Sequence, residues 1–336
     1  MANRTTSVTE FILMGFSDSR EWQVLQAVLF LLIYLTALAG NLLILLTTLD
    51  CRFQSPMYFF LRTLSLLDLC FISVTVPKSI IQSLTQDSSI SFAGCVMQVF
   101  LVVWFACAEL ALLTVMSYDR YVAICRPLHY QIIMKKGACG QMAAASWLSG
   151  AASGFLNTSV TFSLPFCRSN FVHQFFCEIP SLLKLSCSEE YLAEIGAIFV
   201  TTSLGILCFI SILISYIHIF STVLRIPSME GRSKAFSTCI PHIVVVTVFL
   251  STGSTAYLKP VQESPAVWDM LVSVFYTMVP PTLNPIIYSL KNKDMKAAFQ
   301  KVLRKTMFIN PTNHNPNTNT KRHEANSANN NRLPAI

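Results

Sequence analysis

The sequence predicts an all-α membrane protein: a seven-transmembrane helix bundle with its N-terminus outside and its C-terminus in the cytoplasm. First, 53% of the 336 residues are hydrophobic and only 12% are charged, against about 25% charged in an ordinary soluble domain. Second, seven apolar windows can each cross about 30 Å of hydrocarbon, which takes roughly 20 helical residues. Third, the basic residues concentrate on one side of these windows.

The seven windows follow one another along most of the chain. The second and the seventh give the weakest hydropathy signal, because Asp68 interrupts one and prolines such as Pro285 interrupt the other. Proline is tolerated in a spanning helix where neighbouring groups satisfy the freed carbonyls, so both windows stay in the prediction. The predicted spans are 23–49, 57–83, 97–122, 140–163, 196–223, 237–258 and 268–290.

The segments around the bundle domain, 23–290, complete the predicted organisation. Residues 1–22 are polar and mixed and do not resemble a signal peptide, so we expect an extracellular N-terminus and insertion directed by the first span. Residues 291–305 are predicted to form a juxtamembrane cytoplasmic helix. Residues 306–336 are rich in Asn and Thr without apolar periodicity, which predicts a disordered cytoplasmic tail.

The orientation follows from the loops between the spans. Six of the 24 Lys and Arg residues fall in segments assigned to the outer side, and 18 fall in cytoplasmic segments. The net charge of +7 is therefore an asymmetry between the two faces of a lipid membrane, and no nucleic-acid partner is predicted. The sequence Asn3-Arg4-Thr5 is an acceptor for N-glycosylation, which fits an N-terminus outside the cytoplasm.

Four of the 11 cysteines fall on the outer side. Cys95 opens the third span, and Cys167, Cys177 and Cys187 lie in the loop 164–195. In an oxidising compartment they predict two disulfides, with three possible pairings that spacing alone leaves open. No C-x2-C spacing occurs, so we predict no metal and no cofactor.

The most specific motif lies where the third span meets a basic loop. An adjacent Asp and Arg at the end of a membrane helix are costly, and the Arg keeps its proton, so the pair suits a charge-based latch. The run reads Met116-Ser117-Tyr118-Asp119-Arg120-Tyr121-Val122-Ala123-Ile124-Cys125. It resembles the signature of the odorant receptors, a branch of the rhodopsin-like G-protein-coupled receptors, in which Ala is usual at the position of Ser117.

Further strings carry the same resemblance over about residues 5–305. They are Gly40-Asn41, Pro56-Met57-Tyr58-Phe59-Phe60-Leu61, Leu66-Leu67-Asp68, Arg126-Pro127-Leu128-His129-Tyr130, Ser215-Tyr216, Lys234-Ala235-Phe236-Ser237-Thr238-Cys239 with His242, and Pro281-Thr282-Leu283-Asn284-Pro285-Ile286-Ile287-Tyr288.

The resemblance implies a plasma-membrane receptor, and not an enzyme, that binds a small volatile or apolar ligand. It implies coupling to a heterotrimeric G protein of the stimulatory olfactory class, which raises cyclic AMP. It favours the disulfides Cys95–Cys177 and Cys167–Cys187. The residues that it implies for activation and coupling are Asp119, Arg120, Tyr121, Tyr216, Asn284, Pro285 and Tyr288.

The resemblance also places a tentative ligand pocket in the outer halves of the third, fifth, sixth and seventh spans. Its members are mostly apolar, with Tyr257 and Thr277 as polar groups, which suits a small hydrophobic molecule. Plain helix packing is the alternative for each of them. The pocket residues are Val102, Val103, Ala106, Cys107, Val200, Leu204, Gly253, Tyr257 and Thr277.

Asp68 and Glu109 are carboxyl groups at membrane depth, each costing a few kcal/mol if charged and unpaired. The resemblance places them near Asn284, as a shared cation or proton site that reorganises on activation. Two protonated carboxyls in a structural hydrogen-bond network are the alternative. No acidic residue stands near the start of the sixth span, so we expect Asp119 to restrain Arg120.

Other functions are less favoured. A metabolite sensor outside the nose would share every motif named above. A transporter or channel predicts internal repeats and broken helices, and no repeat relates the two halves of the sequence. An intramembrane enzyme is disfavoured because no H-E-x-x-H or G-x-S-x-G string occurs.

Overall fold

The computed structural model describes residues 9–17, 19–50, 53–167, 169–187, 192–257 and 267–291. The predicted cytoplasmic tail, nearly all of the predicted juxtamembrane helix, and Asn3 lie outside these residues. Seven long helices carry the fold: α1 (Arg20–Thr47), α2 (Pro56–Thr85), α3 (Phe92–Cys125), α5 (Lys136–Thr161), α7 (Leu192–Leu224), α8 (Met229–Tyr257) and α9 (Val267–Lys291). The short elements are a 3-10 turn (Pro127–His129), α4 (Tyr130–Ile133) and α6 (Ile179–Leu183).

Within the described residues, six of the long helices are apolar and long enough to cross a membrane, and α5 is the exception. The expectation that the second and seventh spans give the weakest signal was therefore right in part: α9 has the lowest hydropathy of the six, but α5 is weaker still and α2 is not among the weakest. The shortfall of α5 comes from its small and polar residues. Many of these are buried against neighbouring helices, which explains why a low hydropathy coexists with a membrane-length helix.

All seven long helices begin before the predicted spans. α3 begins at Phe92 rather than at 97, because the Ser91 hydroxyl accepts a hydrogen bond from the Gly94 backbone N–H at 3.1 Å and caps the first turn. α8 begins at Met229, well before the apolar stretch that starts near 237. Hydropathy detects only the apolar part of a helix, which lies in lipid, so it does not detect polar turns at the ends of the helix.

α3 and α5 approach one another closely through glycine. A Cβ atom built on Gly150 would stand 2.5 Å from the Trp104 backbone oxygen, and one on Gly154 would stand 2.9 Å from the Phe100 oxygen. Small residues allow membrane helices to pack at such distances. The Trp104 Nε1–H also donates to the Trp147 carbonyl oxygen at 3.0 Å, which fixes the register of the two helices.

A three-stranded sheet, absent from the all-α prediction, joins three segments at the predicted outer end. Strand β1 (Glu10–Leu13) lies between β2 (Ser89–Ser91), to which it is antiparallel, and β3 (Phe171–Val172), to which it is parallel. Phe11 and Leu13 of β1 point inward and are buried. They pack in a second hydrophobic cluster, next to the main core of the bundle, that also contains Cys95 and Cys177.

The structure contains both disulfides that the resemblance favours. Cys95 is bonded to Cys177, and Cys167 is bonded to Cys187. The first joins α3 to the loop that precedes α6, and the second closes a smaller loop within the same region. Together with the sheet, they tie the N-terminal segment and two loops to one end of the bundle.

The outward faces of the helices are apolar. Phe155 and Phe199 are each 70% exposed, and Leu148 is 69% exposed. Exposed apolar surface on this scale is rare on soluble monomers and matches a bundle surrounded by lipid. Inside, the main cluster runs the length of the bundle along α2 and α3.

Candidate functional site

Arg120 lies near the C-terminal end of α3, which is the predicted cytoplasmic or inner end, and is almost enclosed by the bundle. Its side chain is 7% exposed, and its Nε is buried without a hydrogen-bond partner among the described residues. The guanidinium is close enough to interact electrostatically with Tyr216, His242 and Tyr288. The structure therefore groups Arg120 with residues of three other helices around one buried positive charge.

Asp119 and Arg120 interact through their charges, but they make no direct contact. No hydrogen bond or ion pair between them occurs in the described part of the chain, because consecutive helical residues point in different directions. Instead, the Asp119 Oδ1 accepts a hydrogen bond from the Tyr130 hydroxyl at 2.8 Å. Burial raises the pKa of Tyr130, and the Asp119 charge raises it further, so the hydroxyl stays protonated and donates.

His242 connects three helices at the same level of the bundle. Its Nε2 lies 3.0 Å from the Leu113 carbonyl oxygen of α3, and its Nδ1 lies 2.7 Å from the Tyr216 hydroxyl of α7. A carbonyl oxygen can only accept, so Nε2 carries the proton and Nδ1 accepts from Tyr216. The pairing therefore holds α8 against α3 through neutral hydrogen bonds.

The other predicted coupling residues surround this junction. Tyr288 of α9 is buried, and its hydroxyl has no partner among the described groups. Tyr121 lies on the other side of α3, where its ring contacts Tyr118 and His218. Pro285 packs on α1, where a Cβ on Gly40 would come within 2.9 Å of it.

Asp68, Glu109 and Asn284 meet in the centre of the bundle. The Asn284 Nδ2 donates to the two Asp68 oxygens at 3.1 and 3.0 Å and lies 3.2 Å from the Glu109 Oε1. The Asp68 and Glu109 side chains are fully buried, and Glu109 Oε2 has no partner in the described chain. Two carboxyls around one amide favour a shared proton or a bound cation over two free charges.

A site for a transition metal needs several His, Cys, Asp or Glu side chains close together. Within the described residues, no group of three His, Cys, Asp or Glu side chains is placed to hold a metal ion. The central trio contains only two carboxyl groups and one amide.

The structure brings only some of the predicted pocket residues together. Val102, Val103 and Thr277 are buried, and Thr277 donates to the Ser273 carbonyl oxygen of its own helix at 2.7 Å. Val200 and Leu204 are each about half-exposed on α7 and belong to neither hydrophobic cluster. Ala106 and Cys107 pack at the edge of the two clusters, Gly253 is partly buried, and the Tyr257 side chain lies outside what the structure describes.

Sequence reasoning missed a polar group at the outer end. Glu178, in the loop after Cys177, accepts hydrogen bonds from the hydroxyls of Ser273 and Tyr276 on α9. The loop and α9 are far apart in the sequence, and neither Ser nor Tyr is unusual in a spanning helix. No sequence motif could have paired them.

Comparisons with known proteins agree with this arrangement. A family model described as "Olfactory receptor" matches residues 30–306. Human Olfactory receptor 14L1 is 59% identical over 297 residues, covering 88% of this chain and 91% of that protein. Human Olfactory receptor 14A16 is 58% identical over 305 residues, covering 90% and 98%. The crystal structure of squid rhodopsin superposes with a TM-score of 0.68 at 18% identity, covering 88% of this chain and 89% of the other, which shows a shared fold.

Proposed function

The chain belongs to the olfactory receptor family, and on that premise we propose that it is an odorant receptor that activates a stimulatory, olfactory-type G protein. It is a multi-pass protein of the plasma membrane and not an enzyme. A small, mostly apolar molecule binds in the outer half of the bundle and raises cyclic AMP. All seven long helices cross the membrane with the N-terminus outside, as the cytoplasmic excess of Lys and Arg favours.

The observation that supports coupling best is the His242 junction beside Arg120. It bonds α8 to α3 and α7 through two neutral hydrogen bonds, 3.0 and 2.7 Å long. We expect ligand to favour a conformation in which α8 moves outward, these bonds break, and Arg120 faces an open cytoplasmic cleft. The C-terminal helix of a G-protein α subunit would then bind there. The ligand acts only through its different affinities for the two conformations.

The ligand site is proposed around the buried members of the predicted pocket. Val102 and Val103 of α3 and Thr277 of α9 lie inside the bundle, where apolar walls and a few polar groups suit a small odorant. Ala106 and Cys107 adjoin them. Val200 and Leu204 would join the site only through a rotation or inward movement of α7.

The central trio is proposed as a cation or shared-proton site that reorganises on activation. The buried Glu109 Oε2 without a partner supports this, because such an oxygen is costly unless a proton or a cation reaches it. Asn284 directly precedes Pro285 in α9, so a change in this helix would move the amide that both carboxyls share. The thermal stability of the purified receptor in sodium and in choline chloride separates the two forms. Dependence on sodium that is lost in Glu109→Gln indicates a cation, and stability independent of sodium indicates a proton.

The decisive experiment is a cyclic AMP assay in cells that express the chain with a stimulatory olfactory-type G protein. A panel of small apolar volatiles is applied to the wild type, to Arg120→Ala and to a control, Arg62→Ala. Arg62 lies on α2, where its guanidinium sits 5.8 Å from the centre of the Phe59 ring. We expect a dose-dependent signal in the wild type and the control, lost in Arg120→Ala at equal surface expression.

Two results would contradict the proposal. Silence of a well-expressed wild type would count against the G-protein class and the ligand class. Ion conduction or solute uptake that depends on the chain would count against a receptor altogether.

A further inference from the structure

The segment 174–178 crosses the outer mouth of the bundle from α3 towards α9. On the α3 side it is fixed strongly, since Cys177 is bonded to Cys95 and its backbone N–H donates to the Gln98 Oε1 at 2.8 Å. Phe175 and Phe176 of this segment are completely buried in the main core. The segment is therefore part of the packed interior and not a loose surface loop.

On the α9 side the same segment is held by hydrogen bonds to one carboxyl group. The Tyr276 hydroxyl donates to the Glu178 Oε2 at 3.0 Å, and the Ser273 hydroxyl lies 3.3 Å from the same oxygen. The Gln174 Nε2 donates to the Ser273 hydroxyl oxygen at 2.9 Å, and the Phe176 ring contacts the Tyr276 ring. Two loop side chains thus bond to two α9 side chains that lie one helical turn apart.

A charge on Glu178 strengthens its hydrogen bonds but is itself costly to bury, and the raised pKa of Glu178 means that the burial cost is the larger of the two effects. Hydrogen bonds to a carboxylate are roughly twice as strong as those between neutral groups. Burial raises the pKa of Glu178, while the hydroxyls of Tyr276, Ser181 and Ser273 lower it, and Lys184 lowers it slightly. A carboxylate taken out of water must have such donors, so its position depends on α9.

We propose that Glu178 is a positioning residue that latches the outer loop onto α9. The latch holds the outer end of α9 in the conformation in which His242 bonds α8 to α3. A ligand beneath segment 174–178 would then move α9 only by breaking these bonds. The effect on signalling rests on the proposed function, whereas the latch itself is a physical coupling that can be measured without it.

The first test is a double-mutant cycle on the purified full chain in lipid nanodiscs. We expect Tyr276→Phe to lower the melting temperature by about 2–4 °C, and to lower it much less in a Glu178→Gln background. The matched control is Tyr34→Phe, since the Tyr34 hydroxyl bonds Ser73 at 3.1 Å between α1 and α2. Tyr34→Phe should lower the melting temperature by the same amount in the wild type and in the Glu178→Gln background. Additive losses for Tyr276→Phe and Glu178→Gln would overturn the latch.

The second test is the pH profile of the same proteins, which a purely steric role for Glu178 would not change. The folded pKa lies above the ordinary value of 4.5. The stability of the wild type relative to Glu178→Gln is therefore greatest below pH 4.5 and declines as the pH rises through the folded pKa. The titratable groups that interact with the carboxyl, Tyr276 and Lys184, are common to both proteins, so their own titration cancels in the difference. A difference that does not change with pH would overturn the assignment.

The third test measures cyclic AMP without ligand, per receptor at the cell surface. Tyr276→Phe should raise this basal signal about two-fold or more above the wild type, and Tyr34→Phe should not. An unchanged basal signal in a receptor that otherwise signals would overturn the positioning role. If no variant signals but the stability cycle is non-additive, the proposed G-protein coupling fails and the latch stands.

Discussion

The two ends of the bundle are held together by different kinds of bond. At the outer end, two disulfides, a three-stranded sheet and buried aromatic rings join the N-terminal segment and two loops to the helices. At the inner end, the described contacts between α3 and its neighbours include single hydrogen bonds such as Tyr130 to Asp119 and His242 to Leu113. A covalent bond resists displacement, whereas a single hydrogen bond can be exchanged for another at little net cost.

Buried polar atoms without a partner among the described residues occur at both ends, for example the Gln82 Oε1 and the His173 Nδ1 at the outer end. The Arg120 Nε and the Tyr288 hydroxyl are both buried near the inner end without a partner in the described chain. In a low-dielectric interior such groups are costly, so a second arrangement that supplies partners can lie close in free energy. Since both disulfides lie at the outer end, we propose that the inner end rearranges while the outer end stays fixed, which is the division that a ligand-driven switch requires.

Removing the outer disulfide should have the largest effect. Cys177→Ser breaks the bond to Cys95 and leaves the segment beside Phe175 and Phe176 without its covalent anchor. We expect a loss of about 2–5 kcal/mol in the free energy of unfolding, and little receptor at the cell surface. Surface labelling and thermal unfolding in nanodiscs measure both.

A cysteine at the inner end provides the matched control. The Cys125 thiol of α3 donates to the Thr222 hydroxyl of α7 at 3.3 Å, a contact that a serine hydroxyl can replace. Cys125→Ser should fold and reach the surface nearly as the wild type does. If both variants fail equally, the two ends do not differ in the way described above.

Replacing His242 should have an intermediate effect on stability and a clear effect on signalling. His242→Phe keeps a ring beside Tyr216 but leaves the Leu113 carbonyl and the Tyr216 hydroxyl without their partner, at a cost of about 1–3 kcal/mol. Because the lost bonds belong to the conformation with α8 against α3, basal cyclic AMP should rise. The control is His218→Phe, since His218 is exposed on α7. Equal basal signals in the two variants would contradict the role of His242.

The sequence predicted the helices well because their signal is local and long. The sheet escaped prediction because β1 has four residues and β3 only two, too few to show alternation. The helix α5 was predicted at 140–163 although its hydropathy is low, because residues such as Gly150 and Ser153 are buried by packing and not by lipid.

Contacts between residues distant in the sequence could be predicted only where the family resemblance supplied them. Asp68 and Asn284 could be paired in advance only because the resemblance to a family supplies the arrangement. The latch between Glu178 and Tyr276 has no such motif, and the two residues are 98 positions apart. Asp119 and Arg120 interact through their charges and not through a hydrogen bond among the described residues, because the side chains of neighbouring helical residues diverge.

The smallest predicted effect concerns the hydrogen bond between Tyr130 and Asp119 at the inner end. Tyr130→Phe removes the hydroxyl that donates to Asp119 and leaves the ring in place. We expect a loss of about 1 kcal/mol in the free energy of unfolding, because a single hydrogen bond is lost and a shift of the short helix α4 would let water reach the Asp119 carboxyl, which is buried in the wild type. The control is Tyr118→Phe, since Tyr118 is 40% exposed and has no hydroxyl bond within the described residues. Thermal unfolding of both variants beside His242→Phe then ranks the inner contacts. If Tyr130→Phe costs as much as Cys177→Ser, the inner end is as firmly fixed as the outer one, and the proposed division between a fixed end and a rearranging end is wrong.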